Sequence, residues 1–375
     1  MSFEFEVIAR DGKARAGILH TPHGDIATPV FAPVGTAATV KAVPPKDLEA
    51  LEVSLILSNT YHLFLRPGDA LIRELGGLHE FMRWDGPILT DSGGFQIFSL
   101  AEINSIDDEG VTFRSHLDGS RKRLDPRRSM QIQQNLGADI IMAFDQCPAP
   151  KDRAEVEGAL KRTHRWLVEC RQAHPDDDRQ ALFGIVQGGI FPELRADSAE
   201  FVTSLDLKGY AIGGLAVGES KAEMRQALDF TIPCLPADRP RYLMGVGEPD
   251  DLVEGIRRGV DIFDCVIPTR LARHAAAFTH GGRINLRNAR YKMDESAIDP
   301  RLDNYASGFS RAYLRHLVVA KELLAHYLIS LHNIDFLVSH VATMRQAIID
   351  GQLESYASQF LTDYLQPRRD SSPDS

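Results

Sequence analysis

Eight short β-branched apolar runs, mostly separated by helical patterns, constrain this chain more than any other feature. They fall near residues 30–33 (VFAP), 54–58 (SLILS), 87–90 (PILT), 139–144 (DIIMAF), 182–186 (LFGIV), 210–213 (YAIG), 241–245 (RYLMG) and 261–267. Helical patterns lie between them at 45–52, 67–76, 126–136, 153–173, 191–204, 219–232 and 249–259. Strand–helix alternation means parallel strands joined by crossover helices. Eight units over about 240 residues match a (β/α)8 barrel. The expected fold class is therefore α/β, a TIM barrel with inserted hairpins and a C-terminal helical subdomain. A doubly wound open sheet is the competitor, and it would gather its polar residues at one switch point. Here Asn59, Asp91, Asp145, Gln187, Gly213 with Gly214, Met244 and Asp264 follow the strands in turn. In a barrel, that end of the strands carries the chemistry.

Two stretches depart from the plain repeat. Residues 100–124, with the turns DDEG and LDGS, look like an inserted hairpin region between units three and four. Residues 3–29 look like hairpin material that closes the barrel bottom. After Pro268 come a basic stretch, a polar segment at 294–309, a helix from Ser310 to Leu331 and further helix over 336–365. The expected division is a barrel over 1–270, a C-terminal subdomain over 271–365 and a disordered tail over 366–375. No run of 18 apolar residues exists, so no membrane span is expected. The N-terminus lacks the pattern of a signal peptide. Cys147, Cys170, Cys234 and Cys265 are widely spaced without CxxC, which points to a reducing, cytoplasmic setting.

Asp264 interrupts the apolar run DIFDCVIPTR, and Asp91 ends the run GPILTDSGGF. Desolvating a lone carboxylate is expensive, so such residues more often do chemistry than packing. Two carboxylates at strand ends can serve as nucleophile and acid/base at a glycosidic carbon. The alternative is that each caps the following helix. The net charge of −10 argues against general nucleic-acid coating. Yet Arg270, Arg273, Arg283, Arg287, Arg290 and Lys292 form a stretch without a single acid, as a localised phosphate contact requires. The alternative is a solvated surface with acids nearby in space.

The motifs SNTYHL (58–63), TDSGGFQ (90–96), AFDQC (143–147), GIVQGG (184–189), GYAIGGLAVGE (209–219), YLMGVG (242–247), FDCVIPTR (263–270), INLRNAR (284–290) and SRAYLRHL (310–317) together resemble the tRNA-guanine transglycosylase (queuine tRNA-ribosyltransferase) family. The resemblance spans residues 5 to 365 and implies a pentosyltransferase of queuosine biosynthesis. Such an enzyme exchanges guanine 34 of the anticodon for 7-aminomethyl-7-deazaguanine (preQ1). Asp264 matches the nucleophile that forms a covalent ribosyl ester, and Asp91 the acid/base. Asn59 and Ser92 are expected to orient the acids. Asp145 and Gln187, with the Gly214 N–H, match the residues that read the guanine edge. Phe95 and Met244 would sandwich the ring, or else fill core. Cys147 and Val217 resemble the bacterial choice of base, whose ammonium would meet the Leu215 carbonyl, with Glu219 buried behind that loop. Arg270, Arg273, Arg283, Arg287 and Arg290 would hold the anticodon, whose target base must leave its stack. The resemblance further implies tRNA and a 7-deazaguanine as partners, a homodimer, and no cofactor.

One departure stands out. The family's structural zinc cysteines align with Arg301, Asp303 and Ala306, and only the histidine partner, His332, is present. These residues cannot make a tetrahedral zinc site, so no zinc is expected there. Segment 294–309 would then rest on packing through Leu302, Tyr305 and Phe309. The competing functions are an accessory RNA-binding subunit, a DNA-modifying relative and a sugar hydrolase. The retained Asp91 and Asp264 oppose the first, and the PTRLAR motif opposes the second. Against the third stand Asp145 with Gln187 and the scarcity of aromatic platforms, Trp84 and Trp166 being the only tryptophans.

Overall fold

The structure is a computed structural model and describes residues 3–100, 102–174 and 178–366. Among these, eight parallel strands form one sheet: Val30–Pro33, Ile56–Ser58, Ile88–Thr90, Ile140–Met142, Ala181–Val186, Gly209–Ile212, Arg241–Leu243 and Ile262–Cys265. The eighth strand returns to the first through Ile262↔Val30 and Asp264↔Ala32. Val34 bridges Leu57, and the Gly35 N–H donates to the Leu57 carbonyl at 2.6 Å, which closes the ring. The (β/α)8 barrel expected from the alternation is therefore present. Every observed strand lies within a residue of its expected run.

Side chains alternate across the barrel wall because the strand period is two. Leu57, Leu89, Ile140, Met142, Phe183, Ile185, Ala211, Tyr242 and Ile262 fill the inside. Ile56, Ile88, Ile141, Leu182, Val186, Ile212, Leu243 and Phe263 pack outward on the helices. The antiparallel sheet Phe5–Asp11, Ala14–Thr21 and Gly24–Thr28 places Phe3, Phe5, Leu19 and Ile26 in the inner cluster. That sheet plugs the N-terminal mouth, as expected of residues 3–29. The stretch 100–124 carries a second antiparallel sheet, Glu102–Ile106, Val111–Arg114 and Arg121–Leu124. The sequence patterns do not announce the short helices Thr60–Leu65, Gly77–Met82 and Gly94–Leu100.

The C-terminal helices break elsewhere than expected. The helix Arg311–Ala320 ends at Lys321, whose left-handed φ of 61° closes it. The next runs unbroken over Leu323–Ile349, straight through the gap expected near 332–335. The polar residues His332, Asn333 and Asp335 lie in that gap. Each of these is buried and bonded, so polarity there marks internal contacts instead of a linker. The helix is buried on all sides from Leu328 to Leu337. It packs on the first barrel strand, the helix Pro249–Arg258 and the helix Ile267–Arg273, and so completes the outer ring beside the eighth strand. A last helix, Leu353–Leu365, follows. The tail expected to be disordered lies outside the described residues, apart from Gln366.

A buried ion pair fastens the N-terminal sheet to the barrel floor. Arg15 donates Nε to Asp261 Oδ1 at 2.9 Å and Nη2 to Oδ2 at 2.5 Å, with both side chains fully buried. Its remaining hydrogens reach the Ala237 and Arg239 carbonyls, and the Arg241 N–H also donates to Asp261. Removing one partner of such a pair leaves an uncompensated charge. Arg15→Met is expected to lower unfolding stability by about 3–5 kcal/mol. The loss should read as a drop in urea midpoint at constant slope.

Candidate active site

The period-two wall determines which side chains meet at the C-terminal mouth. Two residues beyond inward Leu57, Leu89, Ile185, Tyr242 and Ile262 come Asn59, Asp91, Gln187, Met244 and Asp264. All five therefore continue the inner face. Asp264 is buried. Its Oδ1 accepts from the Tyr242 hydroxyl at 2.6 Å and the Gly245 N–H at 2.8 Å. Both bonds fall on one oxygen, and no described residue bonds the other, Oδ2. Burial raises the carboxyl above its ordinary range, against the pull of those two donors. Burial, with Asp264 as a like charge, also keeps the Tyr242 phenol far above its usual pKa, so it remains a donor.

Asp91 is held by three donors. The Asn59 amide donates to Oδ2 at 2.5 Å, the Gln96 amide to Oδ2 at 2.7 Å and the Thr60 N–H to Oδ1 at 2.8 Å. Burial nevertheless raises its pKa to about 6, and the nearby Asp264 charge adds to the rise. A carboxyl near pH 6 can both give and take a proton under ordinary conditions. Two acids with different surroundings, one of them carrying a free oxygen, suit a division of labour.

A third acid sits beside them. Asp145 accepts from Ser92 Oγ and from Gln187 Nε2, each at 2.8 Å, and burial raises its pKa. Ser92 Oγ also receives the Gly94 N–H at 3.1 Å, so it caps the next helix while orienting Asp145. Gln187 Oε1 is buried and unbonded. A Cβ on Gly214 would stand 2.3 Å from that oxygen, and the residue has a φ of +66°, so only glycine fits. Burial pushes the Cys147 thiol up to about 12, which makes it inert.

The remaining expected residues fall as follows. Leu215 is buried, whereas Glu219 is half-buried instead of sealed behind the loop. It accepts from the Ala216 N–H at 2.5 Å and the Val217 N–H at 3.2 Å. Met244 is half-buried against the inner cluster. Phe95, on the first turn of the helix Gly94–Leu100, is 48% exposed. Arg270, Arg273, Arg287 and Arg290 are exposed. Arg290 bonds the Tyr291 hydroxyl at 2.7 Å. Arg283 is tied to both oxygens of Glu248 at 2.6 and 2.7 Å, an acid supplied from outside the basic stretch.

Several positioning groups escaped the sequence patterns. Tyr242 and Gly245 hold Asp264, and Thr60 and Gln96 hold Asp91. Tyr242 could have been found, because it is an inward hydroxyl two residues before Met244. Arg195 is fully buried and donates to the Val186, Gly189 and Gly213 carbonyls, which braces the ends of the fifth and sixth strands. Asn333 clamps the chain after Asp264. Its amide reaches the Pro268 carbonyl at 3.0 Å and the Ala276 carbonyl at 3.1 Å, and its oxygen takes the Phe278 N–H.

The zinc position of the resembled family does not fit a metal in this chain. Arg301 and Asp303 are exposed, Ala306 offers no ligand, and His332 Nε2 is engaged by the Phe278 carbonyl at 2.8 Å. Hydrogen bonds hold the segment instead. Asn304 donates to Asp335 at 2.6 Å, and Asp299 receives the His280 N–H and ring nitrogen at 2.7 and 2.8 Å. Ile298, Leu302 and Ala306 are buried beneath. Of the packing residues expected, Leu302 is buried and Phe309 half-buried, but Tyr305 is 63% exposed.

A family model described as queuine tRNA-ribosyltransferase matches residues 11–366. The chain belongs to this family. It is 54% identical over 369 residues to a queuine tRNA-ribosyltransferase of Halothermothrix orenii, covering 97% of this chain and 99% of that protein. It is 50% identical over 366 residues to the one from Ruminiclostridium cellulolyticum, covering 97% and 98%. The Solidesulfovibrio magneticus protein of the same name is 54% identical over 352 residues, covering 93% and 94%.

The two acids should report on each other. In Asp264→Asn the like charge is gone, so Asp91 is expected to titrate below its wild-type value of about 6. Carboxyl-carbon NMR titration of both proteins checks this. An unchanged value would mean that the two acids are not coupled.

Proposed function

We propose that this chain is a tRNA-guanine transglycosylase that replaces guanine 34 of the anticodon with 7-aminomethyl-7-deazaguanine. The observation that carries the reading is the pair Asp91 and Asp264, buried at one barrel mouth beside the Asp145–Gln187 pair. Membership in the queuine tRNA-ribosyltransferase family supports it. Asp264 Oδ2 attacks C1′ of the ribose, the C1′–N9 bond breaks, and its electron pair leaves on guanine. Protonated Asp91 supplies the proton that guanine takes away. The incoming deazaguanine gives its N9 proton to the resulting Asp91 carboxylate and attacks C1′. That step breaks the ester and frees Asp264, and two displacements retain configuration.

Asp145 accepts the N–H edge of the base, while Gln187 and the Gly214 N–H face its carbonyl. Phe95 and Met244 flank the ring. The choice of an ammonium-bearing base rests on the Leu215–Ala216 peptide. Its N–H points to Glu219, so in a planar trans unit the Leu215 carbonyl points the opposite way. That free acceptor suits an aminomethyl group. Arg270, Arg273, Arg287 and Arg290 hold anticodon phosphates, and Arg283 acts through its brace to Glu248. The exposed apolar residues Tyr305, Tyr313, Val319 and Leu323 suit a homodimer contact. The four cysteines are unpaired, which agrees with a cytoplasmic setting. Among the described residues, no helix is long and apolar enough to cross a membrane. Residues 1–270 serve as the catalytic barrel and 271–365 as the RNA-contacting part.

Labelled guanine is expected to enter unmodified G34 tRNA. Asp264→Asn should lose both this exchange and the covalent RNA–protein adduct while still binding tRNA. Folded wild-type protein that binds tRNA without exchange would instead indicate an accessory subunit.

The pH dependence has a definite sign. Guanine departs only with protonated Asp91, so kcat/KM for tRNA is expected to fall as pH rises through about 6. A profile flat across that range would assign the proton to another group.

A further inference from the structure

The mouth of the barrel opposite the catalytic acids carries a cluster that the exchange reaction does not use. Asp139 stands at the head of the fourth strand with its side chain fully buried. His23, in the turn joining the second and third strands of the N-terminal sheet, puts Nδ1 2.7 Å from Oδ1. His79, on the helix Gly77–Met82, puts Nε2 3.3 Å from Oδ2. The two imidazoles stack with centroids 3.6 Å apart and planes at 15°. The ligand atoms of the three residues all lie within 4.8 Å of one another.

We propose that His23, His79 and Asp139 form a binding site for a borderline divalent transition-metal ion such as Zn2+. Three observations carry the assignment. The Asp139 carboxylate is fully buried, and among the described residues no lysine or arginine pairs with it, which leaves the two imidazoles as its only possible cationic partners. His79 Nε2 is buried 3.3 Å from the carboxylate and has no geometrically satisfied hydrogen bond. A lone pair on that nitrogen would serve a metal held between it and the carboxylate. The carboxylate is already oriented from behind by the Ile88 N–H at 2.8 Å, as ligating carboxylates commonly are.

The ligand set selects the ion. Two imidazoles and one carboxylate suit Zn2+, Co2+ or Ni2+, whereas Mg2+ and Ca2+ seek oxygen. His23 is 39% exposed, which leaves water room to complete the coordination. Such an ion would join the N-terminal sheet, the helix Gly77–Met82 and the fourth barrel strand. It would act on the stability face of the barrel, away from the chemistry.

The test uses the full chain, stripped with a chelator and dialysed. Co2+ titration is expected to give visible d–d absorption saturating at one equivalent. Zn2+ should raise the thermal midpoint in a concentration-dependent way, and Mg2+ should not. His23→Ala should weaken Co2+ binding at least about tenfold. His79→Gln, which keeps a polar group of similar reach, should do the same. Absence of d–d absorption and of a Zn2+ shift in the wild type would overturn the proposal and leave a hydrogen-bonded His–Asp–His cluster. So would binding that is unchanged in both variants.

Discussion

Closure of the parallel ring is the constraint on which the rest depends. Pairing of Val34 with Leu57, and of the eighth strand with the first, leaves the barrel strands no free edge. It also gives every strand one inner face aimed at the same small volume. With a side-chain period of two, the choice of inward residue at one strand end is settled by the apolar residue two positions earlier. A one-residue slip in the eighth strand would turn Asp264 outward and Phe263 inward. The apolar packing of Phe263 outside and Ile262 inside is thus what keeps the acid in place.

The mouth of the barrel buries acids without the cation that the floor supplies. At the floor, Asp261 meets Arg15 and its charge is compensated. At the mouth, Asp91, Asp145 and Asp264 are buried with hydrogen bonds but, among the described residues, without an ion pair, and burial raises the pKa of all three. Packing alone gives no reason to hold three acids this way. The cost is met by neutral donors, namely amides, a phenol, a serine and backbone N–H groups. These stabilise the carboxylates without supplying a cation that would tie up Asp264 Oδ2.

The fold and the two strand-end acids were legible in the sequence because both rest on local pattern. Short β-branched runs announced the strands, and lone acids in apolar surroundings announced Asp91 and Asp264. The residues that hold those acids were less visible. Thr60 and Gly245 act through backbone N–H groups, which no residue type advertises. Asn333 lies in a helix far along the chain from Pro268, and only tertiary structure brings the two together. The helix runs on through His332 to Asp335 because those polar side chains bond internally, which no local pattern shows. Arg283 resembled its basic neighbours until the fold brought Glu248 to it. Loss of the zinc cysteines was plain from sequence, but the bond from Asn304 to Asp335 that now spans the segment was not.

The Asn333 clamp also orders the assembly of the protein in time. The eighth strand and Asp264 leave the ribosome well before the helix Leu323–Ile349 that packs beside them. Until that helix arrives, the barrel wall has an uncovered apolar stretch, and the backbone groups of Pro268, Ala276 and Phe278 lack their Asn333 partner. The outer ring beside the eighth strand is therefore completed late in synthesis. A nascent chain carries both acids, and the residues that bond them, before the cover of the eighth strand exists.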